Sequence, residues 1–438
     1  MIKEYKLINS NGISIVIISY GGIIKEINTP SSNGKFENIV LGYKDNNEYL
    51  NDKYYMGAII GRYANRIAKG SFKLNDKIIK IDKNENNNHL HGGNNGFHKK
   101  NWELVDYDSQ NQKFLELSLF SEDLDSGYPG NLNCNVKYSL NDSDEFKIEF
   151  FANSDKDTIF NPTSHSYFNL NPSNNSILNH TLKINSNNYI PINNEFLPVG
   201  KIEKITNSPF DFTNPREIGE QINYDNQQLK IAKGYDHCYV LEKEKEIAAE
   251  ISDKISGRKL TISTNQPGLQ LYTGNHLSEK FNQNQGLCLE TQYYPDSPNN
   301  TSFPSTVLKA KKKFYSKTTY FFKKKYYQDG SLGKLTCTVA IEKSISGGSA
   351  NNLIFNGRKY LSALISPDYA AVVNEIYDLL GEKNVLRDKF FFSLSRDFDF
   401  GKDLRWYLQK KLVAEVDKKY FITRNNSMRV LPKRHVIP

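Results

Sequence analysis

At 438 residues the chain exceeds one typical core, so one large domain plus a smaller one is expected. Its 38% hydrophobic and 24% charged residues argue for a soluble globular protein, and no stretch approaches the roughly 18 apolar residues of a membrane helix. The net charge of +8 sits almost wholly in residues 331–438, with 18 Lys and Arg against 11 Asp and Glu, which excludes a polyanionic partner as a need of the main body.

The start, Met-Ile-Lys-Glu-Tyr, has no apolar segment and reads as no secretory signal. Tyr5–Ile8 and Ile13–Ile18 flank Asn11-Gly12, a strong hairpin signal. Ser71–Leu74 and Lys77–Ile81 repeat the pattern around Asn75-Asp76. Short runs follow at Val136–Leu140, Phe146–Phe151, Thr181–Ile184, Leu260–Ser263 and Leu269–Thr273, separated by Asn, Ser, Asp and Gly clusters. No helical apolar period of useful length interrupts them. Many short strands divided by turns predict a mainly β fold, a large antiparallel β-sandwich.

The texture changes after a lysine-rich stretch at 309–325. Lys311–Lys313 and Lys323–Lys325 read as a solvated strand edge, where lysine blocks sheet-to-sheet pairing, in preference to a polyanion-binding stripe. Ser366-Pro367-Asp368 has the form of a helix start, Val372, Val373, Ile376, Leu379 and Leu380 follow at helical spacing, and Gly381 suits the stop. A second amphipathic helix is expected from 402 to 416. The domains are therefore placed at 1–328, the β body, and 329–438, a basic α/β or α-containing unit. We read no family resemblance in about residues 330–438. A structural or oligomerisation role is favoured for that unit over nucleic-acid binding.

Cys134, Cys238, Cys288 and Cys337 form no CxxC pair and fit reduced thiols in a cytoplasmic protein. Gly92-Gly93 and Gly21-Gly22 are turn glycines, since no helix start follows them to make a phosphate cradle.

Five groups of segments put polar or ionisable residues where a sandwich would place plain turns. They are GRYANRIAKGSF (61–72), NHLHGGNNGFHKKNW (88–102), NPTSHSYFNL (161–170), GYDHCYVL (234–241) with PGLQLYTGN (267–275), and GLCLETQYYPDSPNN (286–300). A carboxylate and an imidazole such as Glu290 and His165, set on opposite sides of a bound substrate, could exchange protons near neutral pH. Such exchange needs neither redox cofactor nor metal.

In order and content these segments resemble the aldose 1-epimerase (galactose mutarotase) family over about residues 1–325. The resemblance implies a galactose mutarotase-like supersandwich and interconversion of the α and β anomers of free aldohexoses. It implies His165 as the acid at the ring oxygen and Glu290 as the base at the anomeric hydroxyl. Asn65, Arg66, His91, Asp236 and Gln270 would bind the sugar. Ser164, Cys238 and the Tyr293-Tyr294 pair depart from the residues common in the family, and none removes an acid, base or sugar ligand.

Other readings compete. His89 is expected to pack or hold a turn, and His237 to face away from Asp236. His98, His180, His276 and His435 default to solvent or structure. A zinc site built on His89, His91, Asp236 and His237 is disfavoured because two of these already have sugar roles. The rival functions are a hexose-phosphate epimerase, which should carry more basic groups over its pocket, and a non-catalytic sugar-binding module.

Overall fold

The computed structural model describes residues 2–324 except 112 and 243–245, and beyond them the backbone of six strands. The chain divides into two compact units, Met1–Lys325 and Tyr326–Pro438.

Alternation builds the first sheet. In Glu4–Ile8, Tyr5 and Leu7 are buried while Glu4, Lys6 and Ile8 are exposed, the period of a half-buried strand. It pairs antiparallel with Ser14–Ile18, which pairs in turn with Ile23–Pro30, and that with Phe36–Asn38. The Asn-Gly hairpin forms, but with a loop at 9–13 in place of a two-residue turn, because Ile8 pairs with Ser14. Asn9 organises that loop: its Oδ1 accepts the backbone N–H groups of Asn11 and Ile13. Gly12, at φ +85°, supplies the left-handed step. Asn75-Asp76 does close a two-residue turn. Leu74 pairs with Lys77 and both turn residues have positive φ, 46° and 63°, as type I′ geometry requires.

Nine strands form the main sheet, in the order Glu103–Asp108, Phe114–Ser121, Leu132–Leu140, Glu145–Ser154, Lys313–Lys324, Arg258–Thr264, Ile247–Ser252, Thr181–Ile184 and Arg216–Glu217. A five-stranded sheet runs Glu203–Lys204, Ser186–Ile190, Asp236–Leu241, Gly268–Tyr272, Cys288–Gln292. Leu115, Leu117, Val136, Tyr138, Phe146 and Ile148 alternate inward from the first. They share one core with Tyr239, Leu269, Leu271 and Leu289 of the second and with Leu7, Ile15 and Ile17. Each such side chain stabilises the fold by about 1.5–3 kcal/mol through burial. The antiparallel sandwich read from short strands divided by turns is the observed architecture.

The lysine stretch is a correction. Lys313–Lys324 is an interior strand, paired on one side with Glu145–Ser154 and on the other with Arg258–Thr264. Its lysines guard no edge; Lys313 and Lys323 are exposed on its outward face, and Lys311 and Lys312 lie in the preceding turn. Sequence runs also underestimate strand length. Leu132–Leu140 and Glu145–Ser154 continue through Asn, Ser and Lys positions that face outward.

In the second unit Cys337–Ile341 pairs with Phe390–Leu394, Asn352–Phe355 with Arg358–Leu361, and Tyr420–Ile422 with Met428–Val430, all antiparallel. The helices expected at 366–381 and 402–416 lie outside the described residues. Among the described residues, no helix is long and apolar enough to cross a membrane.

Candidate active site

Three neighbouring strands of the five-stranded sheet carry one wall of the site. Their register sets Cys238 opposite Gln270 and Gln270 opposite Glu290, so these side chains share a face. Asp236, two residues before Cys238, returns to that face, and Gln270 Nε2 donates to its Oδ1 at 2.6 Å. His237 turns the other way, as alternation predicts. Its Nδ1 accepts the Asp236 N–H at 3.1 Å and its Nε2 meets Gln228 Oε1 at 3.2 Å.

His165 stands against this wall. Thr163–Ser164 pairs with Ile59–Ile60, and the next residue is pinned by its backbone. The His165 N–H donates to Ala58 O at 2.9 Å, and its carbonyl accepts from Gly57 N–H at 3.1 Å. So held, Nε2 lies 3.8 Å from Glu290 Oε1, with His165 4% and Glu290 2% exposed. Cys288, one alternation before Glu290, puts its Sγ 3.5 Å from His165 Nδ1. Glu290 Oε2 and Gln270 Oε1 are buried without a hydrogen-bond partner, the condition of acceptors reserved for a ligand.

Arg66 and His91 arrive together. Arg66–Ile67 pairs with His89–Leu90, and His91 follows in a left-handed conformation at φ 51°. Gly92 is obligatory there, since a Cβ would come within 1.8 Å of Gly61 O. His91 Nδ1 accepts the Asn65 N–H at 3.2 Å, so a neutral ring carries its proton on Nε2. The His91 and His165 ring centroids are 5.3 Å apart. Arg66 donates through Nε and Nη2 to both oxygens of Glu85 at 2.6 Å. Asn65 is engaged with the protein through its Oδ1, which accepts the Arg66 N–H at 2.8 Å.

Burial governs the titration of the site. It pushes the Glu290 carboxyl well above the ordinary range, with the charge of Asp236 adding and Arg66 opposing. Burial also raises Asp236, against Arg66 and the Gln270 hydrogen bond. It lowers His165 to about 4, and takes His91 well below 6.5 with help from His165 and Arg66. Arg66 is pulled down by burial but more than restored by the hydrogen bonds and charge of Glu85.

His91, His165 and Glu290 each offer a ligand atom within 4.8 Å of the others, a spacing a divalent cation could bridge. The donor chemistry speaks against it. With Nδ1 of His91 accepting a backbone N–H, the proton resides on Nε2 and neither nitrogen has a lone pair to give.

The sequence model of aldose 1-epimerases matches residues 3–321. The chain belongs to the aldose 1-epimerase family. It is 32% identical to the aldose 1-epimerase of Escherichia coli over 335 residues, covering 73% of this chain and 96% of that protein. It is 36% identical to the galactose mutarotase of Mus musculus over 331 residues, covering 73% and 93%. Among solved structures, the GalM/aldose epimerase homologue from C. elegans superposes with a TM-score of 0.70 at 25% identity, over 74% of this chain and all of that one. The galactose 1-epimerase of Lactobacillus acidophilus gives 0.67 at 27% identity, over 74% and 98%. The chain is thus an isomerase of the mutarotase type.

Several residues around this epimerase's site escape a sequence reading. Glu85 is a lone acid in an Asn-rich turn, and nothing local marks it as the partner of Arg66. The Tyr55 ring meets His91 at 4.6 Å, His98 at 4.7 Å and His165 at 5.8 Å, centroid to centroid, in tilted and edge-on contacts, from a segment with no motif. Phe196 covers the Arg66 guanidinium at 4.9 Å. His89 meets its expectation: Nδ1 bonds Asp82 O at 2.8 Å and Nε2 meets Tyr128 OH at 2.5 Å. His98 and His180 are buried structural groups, His180 Nε2 accepting the Leu170 N–H at 2.9 Å, while His276 is exposed. His435 lies outside the described residues.

These buried histidines give the epimerase a pH-dependent stability. His89, His165 and His180 are lowered to about 4, His98 and His237 to about 3, chiefly by burial. Unfolding releases each to an ordinary value near 6.5, so the unfolded chain binds more protons below that pH. The stability is present above about 6.5 and is lost as pH falls toward 4. Glu290, Asp236 and Asp296, raised mainly by burial, work in the opposite sense, but the histidines outnumber them. Calorimetry should show the melting temperature dropping between pH 7 and 4.5; a constant value would contradict the account.

Proposed function

We propose that this epimerase interconverts the anomers of free, neutral aldohexoses such as galactose and glucose, with Glu290 as base and His165 as acid. The observation that carries this reading is the separation of 3.8 Å between His165 Nε2 and Glu290 Oε1, both buried. Glu290 takes the proton of the anomeric hydroxyl while His165 protonates the ring oxygen. The C1–O5 bond breaks and an open-chain aldehyde remains. Rotation about C1–C2 presents the other carbonyl face. His165 then takes the proton back from O5 as it attacks C1, and Glu290 returns one to the carbonyl oxygen. The pair shares one proton, which ring opening moves from His165 to Glu290, and burial, which opposes charge on both groups, favours the state that follows opening. Gln270, Asp236, Arg66, His91 and Asn65 supply the hydroxyl contacts.

Arg66 faces Glu85 and Asp236 in this pocket, which disfavours a sugar phosphate. We also assign the enzyme to the cytoplasm, consistent with the buried free thiols of Cys134, Cys238 and Cys288. The unit from Tyr326 onward is an appendage not required for turnover.

Polarimetry on freshly dissolved α-galactose tests these points together, using the full chain and residues 1–325. Both proteins should speed relaxation well beyond the buffer rate. Relaxation at the buffer rate with the full chain would leave a sugar-binding module as the answer. A truncated protein that is insoluble or inactive would tie the second unit to the first. Faster turnover of galactose 6-phosphate than galactose would favour the hexose-phosphate reading.

A further inference from the structure

The guanidinium of Arg66 is engaged before any sugar arrives. Glu85 takes two of its N–H groups at 2.6 Å each, Phe196 lies over it, and the side chain is 11% exposed. Glu85 has no part in the proton transfers and touches none of the groups assigned to them. It is held in place by its own turn, where Glu85 N–H donates to Asn88 O at 3.2 Å and Asn88 N–H returns to Glu85 O at 2.9 Å. Its side chain is 28% exposed, which sets it between the pocket and solvent. Its charge reaches Asp236, Tyr55 and His276. Three carboxyl groups, those of Glu85, Asp236 and Glu290, therefore lie within electrostatic reach of one guanidinium.

We propose that Glu85 is a positioning and specificity-determining residue that fixes Arg66 in one orientation and cancels its charge, so that the pocket accepts neutral aldoses and rejects those bearing a carboxylate or phosphate. The proposal rests on the free-sugar reading above. A guanidinium pairs best with carboxylates and phosphates, through two parallel N–H bonds. Glu85 fills one such bidentate edge. The N–H groups that remain belong to a neutralised pair and suit single hydroxyl oxygens. An anionic sugar would also meet the carboxyl groups of Asp236 and Glu290 in a site where burial already opposes negative charge, and a further one there is disfavoured. Glu85→Gln keeps the side chain's size, removes its charge and leaves Arg66 uncancelled.

The test compares galactose with galacturonate, the same ring with a carboxylate at C6, in wild type, E85Q and E85D. Anomer exchange is followed by polarimetry or by saturation transfer in proton NMR. In E85Q, kcat/KM for galactose should fall about threefold to tenfold, mainly through KM, as Arg66 loses its anchor. The preference for galactose over galacturonate should shrink by about tenfold or more, and E85D, which retains the charge, should restore most of it. Equal losses on both sugars in E85Q, with the preference unchanged, would mean a purely structural role and overturn the proposal. If E85Q does not fold, E85A carries the same ratio test. A wild-type enzyme that is active but prefers galacturonate would overturn the free-sugar reading and this inference with it.

Discussion

Glu290→Gln should lower kcat for anomer exchange by about 10²–10⁴-fold, the usual contribution of a positioned acid or base. The amide keeps the shape of the side chain and cannot accept the anomeric proton. KM should change little, because the sugar contacts of Gln270, Asp236 and Arg66 stay in place. Stability should hold or rise. A carboxyl driven well above its normal range by burial, with Oε2 unpartnered, costs the folded state free energy that a neutral amide costs less of. Polarimetry with a parallel thermal melt checks both parts. Residual activity within tenfold of wild type would remove Glu290 from the proton-transfer step.

His165→Asn should cost a similar factor in kcat, again about 10²–10⁴-fold. Here the fold also suffers. The ring packs between Tyr55, His91 and Tyr167, and the shorter side chain leaves space there, a loss of about 1–2 kcal/mol. The double variant H165N/E290Q makes the sharper comparison. If the two groups act on one proton, either substitution stops the same step, so the pair should be little slower than the worse single variant. Multiplying losses would instead mean two independent contributions.

How much of this is legible in the sequence depends on how local the signal is. Asn75-Asp76 announces its turn because the constraint, positive φ at two adjacent residues, lies within two residues. His165 and Glu290 are legible through their motif strings, yet nothing in those strings says that their side chains approach to 3.8 Å. That distance depends on pairings between remote segments: Thr163 with Ile60 and Gln270 with Glu290. The lysine-rich strand fails for the same reason. Whether Lys313–Lys324 is edge or interior is decided by Glu145–Ser154 and Arg258–Thr264, and exposed lysines look alike in either place. Glu85 is invisible because its meaning is a contact across 19 positions to Arg66, reached only when Arg66–Ile67 pairs with His89–Leu90.

The register that lines up Cys238, Gln270 and Glu290 has a consequence for how such a pocket can evolve. The anchoring points of its acidic wall belong to a main-chain ladder, with strands spaced about 4.8 Å apart. That spacing cannot drift by small steps; it holds or the sheet comes apart. Sugar preference can therefore change by exchanging one side chain at a time on a lattice that does not move. Cys238, opposite Gln270 in that row and packed with Ile190, Tyr294 and Phe303, is one position open to such an exchange.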